Sequence, residues 1–211
     1  DYELNAKRVY VDLHDVIEPG EFTPERLRKI NKIFVKSEAH KSLFPLVPEE
    51  KFAVVPNGID VSSLRTGEER DRSLIINTSS PDRGLSGLID CFEMVKKLVP
   101  GAKCKWAYGW KVFDYVHGDD TKVMAWKQRM QERMREAGIE EMGRVGHEEI
   151  AKLYQKATVL LYPTEFYEID CISVRKAQAA GCYPVTTDFA ALDTTNQLGF
   201  KAHSDKDSAH W

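Results

Sequence analysis

The sequence has 211 residues, of which 42% are apolar and 30% are charged, and its formal net charge is −3. These values are typical of a globular protein with a buried core, and the weakly acidic balance gives no electrostatic reason to bind nucleic acid or an anionic membrane. No apolar run reaches the roughly 18 residues of a membrane span, and the first residues, DYELNAKR, do not form a signal peptide. We therefore predict neither a nucleic-acid partner nor a transmembrane segment. The first residue is Asp1 rather than Met, which is typical of a processed chain or a segment cut from a longer one.

The cysteines and acidic motifs give no sign of a metal site. Four cysteines occur without any C-x-x-C pair, so the sequence predicts neither a zinc knuckle nor a disulfide framework and favours a reducing, cytoplasmic location. The only D-x-D motif, DKD at 205–207, follows no predicted strand, and we do not expect it to bind a metal.

The sequence pattern of residues 8–56 predicts a small α/β segment. Strands are expected at 8–13, 32–37 and 51–56, with helices at 23–31 and 38–44 between them. His14 and Asp15 follow the first strand directly. They either stabilise a turn or contribute to a site that another part of the protein faces.

A composition break follows at 62–73, SSLRTGEERDRS, where Gly and charged residues dominate. We interpret it as an interdomain linker. The predicted division is therefore 1–60 for a partial α/β segment, 61–72 for the linker and 73–211 for a larger domain.

The sequence pattern of the larger domain predicts a Rossmann-like parallel sheet with helices on both faces. Strands are expected at 73–78, 104–109, 157–163 and 182–187, and helices at 85–98, 121–137, 147–156 and 170–180. The segment 142–171 is expected to run from strand to turn, helix, strand, loop and helix. The aromatic cluster YGWKVFDY at 108–115 is interpreted as packing in the core and at its rim.

The loop SSPDRG at 79–84 lies between a predicted strand and a predicted helix, where free N–H groups favour a phosphate. Arg83 would add a cation, and Gly84 would let the backbone come close to the ligand. The alternative is an ordinary capped loop with a solvated Arg83. The loop is neither a Walker motif nor G-x-G-x-x-G, which disfavours an ATPase or a nicotinamide-dependent oxidoreductase.

A second polar loop, TEFYEID, lies between a predicted strand and a predicted helix and contains Glu165, Glu168 and Asp170. These acids either compensate the helix dipole or line a ligand site. Glu148 and Glu149, in the first turn of the helix at 147–156, are interpreted as structural.

Several motifs together resemble retaining glycosyltransferases of the GT-B fold, of the group-1 or family-4 type. They are FVKSEAHKSLFPLVPEEKFAVVPNGID, SSPDRGL, YGW and GRVGHEEIAKLYQKATVLLYPTEFYEIDCISVRKAQAAGCYPV. The resemblance covers residues 8–200. It implies that 1–60 is the tail of an acceptor-side domain, that further domains of the same polypeptide are partners, and that 73–211 binds the nucleotide sugar.

The resemblance also implies a set of site residues. His14 corresponds to a strand-end histidine that faces the transferred sugar, and Glu168 to the first acid of an E-x7-E motif, so both are predicted as catalytic. The remaining predicted residues are donor-binding: Ser79, Ser80, Arg83, Gly84, Arg144, Val145, Asp170, Cys171, Ile172 and Lys176. A second cation that many members carry falls on Asn77, so Arg83 would act with serines and backbone N–H groups.

Lys176 departs from the family pattern, because the second acid of the motif would stand there. It would donate either to ribose hydroxyls or to a phosphate. Asp170 is expected to be a first-turn acid or a ligand contact, and Glu165 a loop carboxylate.

The resemblance implies transfer of a hexose from a nucleoside diphosphate sugar to a glycan or lipid-linked acceptor, with retention at the anomeric carbon. No metal and no cofactor other than the donor substrate is expected. The alternative is a nucleotide-sugar-binding module that does not turn over because it needs an acceptor domain.

Overall fold

The computed structural model describes residues 6–204, and the DKD motif at 205–207 lies outside the described residues. The described chain forms two parallel sheets. None of its helices is both long enough and apolar enough to cross a lipid bilayer.

The first sheet has three strands in the order β1-β2-β3: β1 Tyr10–Asp12, β2 Lys32–Val35 and β3 Phe52–Val54. Helix α1 (Pro24–Lys29) joins β1 to β2, and α2 (Glu38–Ser42) lies between β2 and β3. Ile33 and Val35 are fully buried in a small core with Phe44. This unit confirms the predicted partial α/β segment.

The second sheet has six strands in the order β6-β5-β4-β7-β8-β9, and every neighbouring pair is parallel. Its strands are β4 Asp71–Asn77, β5 Lys103–Trp106, β6 Ile139–Glu141, β7 Ala157–Tyr162, β8 Tyr183–Thr187 and β9 Phe200–Ala202. Its helices are α3 Leu85–Leu98, α4 Lys111–His117, α5 Thr121–Ala137, α6 His147–Lys156, α7 Ile172–Ala179 and α8 Leu192–Thr195.

Two hydrophobic cores cover the two faces of this sheet. Residues of α3 and α5 pack around Trp106 in one core, and residues of α6 and α7 pack around Ile76 in the other. The helices therefore lie on both faces, as the sequence predicts.

The strand order creates a topological switch point between β4 and β7. After β4 the chain builds β5 and β6 on one side, and it then returns to place β7, β8 and β9 on the other. In open α/β sheets the usual ligand site is a crevice at the carboxyl ends of the strands beside such a point, and we call the region where the loops leave β4 and β7 the crevice.

Several predicted boundaries differ from the structure. Strand β4 begins at Asp71, inside the predicted linker, because Asp71 and Arg72 already belong to the strand that pairs with β7. The prediction also missed β6, β9 and α8, which have only three or four residues each.

The aromatic segment 108–115 also contains a helix that was not predicted. Strand β5 ends at Trp106, three residues before the predicted end, and α4 follows. The aromatic packing itself is confirmed, since Trp110 and Phe113 are buried against Trp106 and Trp126.

Candidate functional site

The loop after β4 is fixed by the side chain of Asn77, which is 3% exposed. Its Nδ2 donates to the Leu161 carbonyl at 2.9 Å, and its Oδ1 accepts from the Ser79 backbone N–H at 2.9 Å. The Trp106 indole donates to the Ser79 carbonyl at 2.9 Å. Asn77 therefore ties the carboxyl end of β4 to that of β7, and Ser79 is buried beneath the crevice.

Arg83 ends a short 3-10 turn, Pro81–Arg83, in which its backbone N–H donates to the Ser80 carbonyl at 3.0 Å. The guanidinium carbon lies 4.1 Å from the centre of the Phe166 ring, and Nη1 lies 3.6 Å from Oε1 of Glu168. Nε is buried and has no hydrogen-bond partner among the described residues. The side chain is 42% exposed, and its guanidinium lies over an aromatic ring and beside a carboxylate.

Gly84 allows the loop after β4 to pack against the loop after β7. Its φ is 104°, which favours glycine, and a Cβ there would lie 3.0 Å from the Pro163 carbonyl oxygen. The close approach therefore involves Pro163 and Thr164, and a ligand is not needed to explain the glycine.

Glu168 is a buried carboxylate at the edge of this crevice, with 6% of the residue exposed. The Tyr162 hydroxyl donates to Oε1 at 2.5 Å. Burial raises the pKa of Glu168, and the Tyr162 hydrogen bond and the charge of Arg83 oppose that rise. Glu165, in contrast, is exposed, as expected for a loop carboxylate.

Asp170 has a fully buried side chain whose two oxygens are already engaged. Oδ1 accepts from Nε of Arg175 at 2.7 Å, and Oδ2 accepts from the backbone N–H of Asn57 at 2.7 Å. The carboxylate holds the chain that leaves the first sheet against α7. Its predicted contact with a donor stays a prediction, but the geometry favours a structural role.

The N-terminus of α7 faces the same crevice. Cys171 is its buried N-cap, Ile172 is 41% exposed, and the hydroxyl of Thr78 donates to that of Ser173 at 3.2 Å. Burial raises the pKa of the Cys171 thiol, which disfavours the thiolate.

His14 lies at the carboxyl end of the first sheet, with its side chain 65% exposed and Nε2 2.9 Å from Asp12. The adjacent Asp15 carbonyl is 3.2 Å from Nε2 of the buried His40. The Ala39 carbonyl, next to His40, accepts from the Tyr167 hydroxyl at 2.8 Å. A continuous set of contacts therefore connects the loop that carries His14 to the loop that carries Glu168.

Arg144 and Val145 lie in the turn between β6 and α6. Arg144 is exposed, and Val145 is partly buried against the core on the α6 side. Gly109, at φ 78°, lies so close to Gly143 that a Cβ would be 3.0 Å from its Cα. The loops after β5 and β6 are thus packed together at the edge of the crevice.

Lys176 lines a cavity of about 640 Å³ that is bounded by residues 58–66 and by helices α6 and α7. The lining residues are Gly58, Ile59, Asp60, Ser63, Leu64, Thr66, His147, Glu148, Ile150, Ala151, Lys152, Ile172 and Lys176. Arg83 and Glu168 thus meet directly, whereas Lys176 and Ile172 line this cavity, which neither Arg83 nor Glu168 lines.

Sequence reasoning missed the supporting residues of the site. Tyr162, Phe166 and the bridging role of Asn77 were not predicted. Tyr162 and Asn77 are the last residues of their strands, and a polar side chain at that position is a signal that could have identified them. Within residues 6–204, no group of three or more His, Cys, Asp or Glu side chains is arranged to hold a metal ion.

Comparison with known proteins shows the fold. No family model matches the sequence, and no curated protein matches it significantly. Among solved structures, HepE from Anabaena in complex with UDP-glucose superposes with a TM-score of 0.71 at 17% identity, over 94% of this chain and 59% of that one. A glycosyltransferase from Rickettsia africae superposes with a TM-score of 0.73 at 14% identity, over 93% and 56%.

Sucrose-phosphate synthase from Thermosynechococcus elongatus superposes with a TM-score of 0.65 at 15% identity, over 93% of this chain and 55% of that one. The chain thus spans less than two thirds of the length of the solved structures that it matches. Over that length, it has the fold of the GT-B glycosyltransferases.

Proposed function

We propose that the chain carries the donor site of a retaining glycosyltransferase, which transfers a hexose from a nucleoside diphosphate sugar to a glycan or lipid-linked acceptor. One observation carries the proposal: the Arg83 cation lies beside the buried Glu168 at the switch point between β4 and β7. The structural neighbour HepE, solved with UDP-glucose, supports a ligand of this class.

Arg83 is proposed to stabilise the departing diphosphate. When the bond from the anomeric carbon to the diphosphate oxygen breaks, the electron pair stays on the diphosphate, and the sugar becomes oxocarbenium-like. Arg83 has an unused buried Nε–H among the described groups, and Ser80 with the backbone N–H groups of Cys171 and Ile172 would add donors, whereas the N–H of Gly84 already donates to the Pro81 carbonyl. Removing one such donor commonly costs about 3–4 kcal/mol of transition-state stabilisation. No metal is needed in this scheme.

Glu168 is proposed to orient the hydroxyls of the transferred sugar. Tyr162 and Arg83 both contact Oε1, which leaves Oε2 to accept from the sugar. His14 would approach the sugar from the first sheet, and the backbone at Arg144 and Val145 would meet the nucleobase. Asp170 would act indirectly, because its carboxylate joins Arg175 of α7 to the backbone of Asn57.

A panel of UDP-, GDP- and ADP-sugars tested by thermal shift checks this proposal, because a ligand that binds only the folded state raises the melting temperature. We expect at least one donor class to stabilise the protein and Glu168→Gln to reduce that shift. Stabilisation by none of the three at millimolar concentration would overturn the proposal.

The second candidate function is a nucleotide-sugar-binding module that needs an acceptor domain. The observation that favours it is that the chain spans 59% of the length of HepE and 56% of that of the Rickettsia africae glycosyltransferase. It predicts donor binding by calorimetry without sugar transfer or donor hydrolysis, and measurable turnover by this chain would exclude it.

A further inference from the structure

Phe166 lies in the loop between β7 and α7, and hydrogen bonds fix the backbone of this loop. The Phe166 N–H donates to the hydroxyl of Thr164 at 3.0 Å, and the Phe166 carbonyl accepts from the Glu168 N–H at 2.9 Å. Thr164 is fully buried, and its carbonyl accepts from the hydroxyl of Thr187, the last residue of β8, at 2.7 Å. The ring of Phe166 is therefore carried by a backbone that is tied to the sheet.

Contact with the Phe166 ring constrains the guanidinium of Arg83. The guanidinium carbon lies 4.1 Å from the ring centre, well within the roughly 6 Å over which an aromatic face attracts a cation. Nη1 lies 3.6 Å from Oε1 of Glu168, which is longer than a hydrogen bond. Nε has no hydrogen-bond partner among the described residues. The orientation of Arg83 is thus constrained by the ring and not by a hydrogen bond from Nε or to Glu168.

The constrained guanidinium still offers donors to a ligand. The Arg83 side chain is 42% exposed, and a guanidinium has five N–H donors in a planar fork that matches the oxygens of a phosphate. The ring constrains this fork without supplying acceptor oxygens to its donors. A free arginine loses rotamer freedom when it binds a ligand, and a side chain that is already held loses less.

We propose that Phe166 is a positioning residue, which holds the Arg83 guanidinium in the orientation that binds a pair of phosphate oxygens. This role goes beyond the contact of Arg83 with the diphosphate, because it assigns the orientation of that cation to a second residue. For the identity of the ligand, the inference rests on the proposed function. Inorganic pyrophosphate is therefore used as a probe beside the nucleotide sugar.

Calorimetry with inorganic pyrophosphate and UDP-glucose tests the inference on variants of Phe166. We expect Phe166→Leu to weaken the binding of both ligands about 5-fold, as for loss of a cation–π contact. Phe166→Tyr keeps the ring and should bind each ligand within about 2-fold of the wild type. Phe34→Leu is the matched control, because it also removes a partly buried ring, which stacks on Tyr10, and it should leave both affinities unchanged.

A double-mutant cycle separates positioning from general damage to the loop. Arg83→Gln has no guanidinium to hold, so adding Phe166→Leu to it should change the affinity less than about 2-fold. An equal loss of affinity from Phe166→Leu in the wild type and in Arg83→Gln would overturn the inference.

Exchange of the Arg83 Nε–H with water, measured by NMR, tests the positioning without any ligand. This exchange should be faster in Phe166→Leu than in the wild type or in Phe166→Tyr, because the ring no longer covers the guanidinium. Equal exchange in Phe166→Leu and the wild type would show that the ring does not hold Arg83.

The outcomes separate the two proposals. Wild-type affinity in Phe166→Leu together with weaker binding by Arg83→Gln would overturn the positioning role and leave the proposed function standing. Phe166-dependent binding of pyrophosphate without binding of any UDP-, GDP- or ADP-sugar would support the positioning role and contradict the proposed function. Binding of neither ligand by the wild type would contradict both.

Discussion

The immediate surroundings of Glu168 determine the pKa of its carboxyl group. Burial raises its pKa above the ordinary value of 4.5, so ionisation of Glu168 costs free energy in the folded protein. The protonated form of Glu168 contributes stability to the folded protein, and this contribution is fully present below pH 4.5. It is lost as the pH rises through the pKa that Glu168 has in the folded protein. Tyr162 and Arg83 reduce this cost, whereas Asp170 and Asp82, both negatively charged, add to it.

Tyr162→Phe tests whether the tyrosine hydroxyl sets the charge of Glu168. The change keeps the buried ring and removes the hydrogen bond to Oε1, so the pKa of Glu168 should rise further. Donor binding that needs the ionised carboxylate should then have its pH midpoint moved upward. The measurement is UDP-glucose affinity as a function of pH.

Tyr154→Phe serves as the control for that experiment. Tyr154 is also fully buried, but its hydroxyl contacts Thr78 at 2.6 Å and no carboxylate. The pH midpoint of UDP-glucose binding by Tyr154→Phe should match that of the wild type. If the midpoint of Tyr162→Phe did not move, Tyr162 would have no role in the ionisation of Glu168.

At the scale of elements, the crevice depends on close contact between the loops after β4 and β7. Gly84→Ala should destabilise the fold by about 1–3 kcal/mol, because the alanine would have a positive φ and its Cβ would press on Pro163. Gly67→Ala is the matched control, since Gly67 also has a positive φ, 86°, with open space around it. Urea unfolding should show the larger loss for Gly84→Ala, and equal losses would contradict the importance of the contact.

The contact by which Asp170 joins α7 to Asn57 provides a second test at this scale. Asp170→Asn leaves Arg175 without its carboxylate in a buried setting and should lower the free energy of unfolding by about 3 kcal/mol. Asp90→Asn removes an exposed partner of Arg133 and should cost less than about 1 kcal/mol. A similar loss in the two variants, measured in urea, would show that Asp170 does not anchor α7.

The sequence predicts elements well where local signals agree. Both α5 and α6 occur at their predicted bounds, and the Asp120 side chain caps α5 by accepting from Lys122 and Val123, while Gly138 ends it at φ 75°. Helix α4 was missed because its aromatic and β-branched residues are weak helix formers, and the contact of its buried Phe113 with Trp126 is not visible in the local sequence. Of the strands with three residues, β1 and β3 were predicted, whereas β6 and β9 were missed.

The site was predicted only in part, because its supporting contacts join residues that are distant in sequence. Arg83 and Glu168 were identified from strand-end loops and from the family resemblance, and they do lie together. The bond from Asn57 to Asp170 spans 113 residues, so no local pattern could predict that Asp170 is occupied. For the same reason, nothing in the sequence placed Lys176 in a separate cavity.

At the scale of the whole molecule, contacts on both sides of Glu168 connect the two sheets. Tyr167 donates to the Ala39 carbonyl of the first unit, and Asp170 accepts from the backbone N–H of Asn57, which follows β3. Glu168 lies between these two anchors along the chain. A shift of the first unit would therefore move the loop that carries Glu168, which would couple the position of His14 to the proposed donor site.

Calorimetric titration of UDP-glucose into the wild type, Arg83→Gln and Arg133→Gln tests the central claim most directly. Arg133 serves as the control because it pairs with Asp90 and Glu93, both partly exposed, on α3. The account predicts that the wild type and Arg133→Gln bind with the same affinity and that Arg83→Gln binds at least about 10-fold more weakly. Equal affinity in Arg83→Gln, or no binding by the wild type at millimolar UDP-glucose, would contradict it.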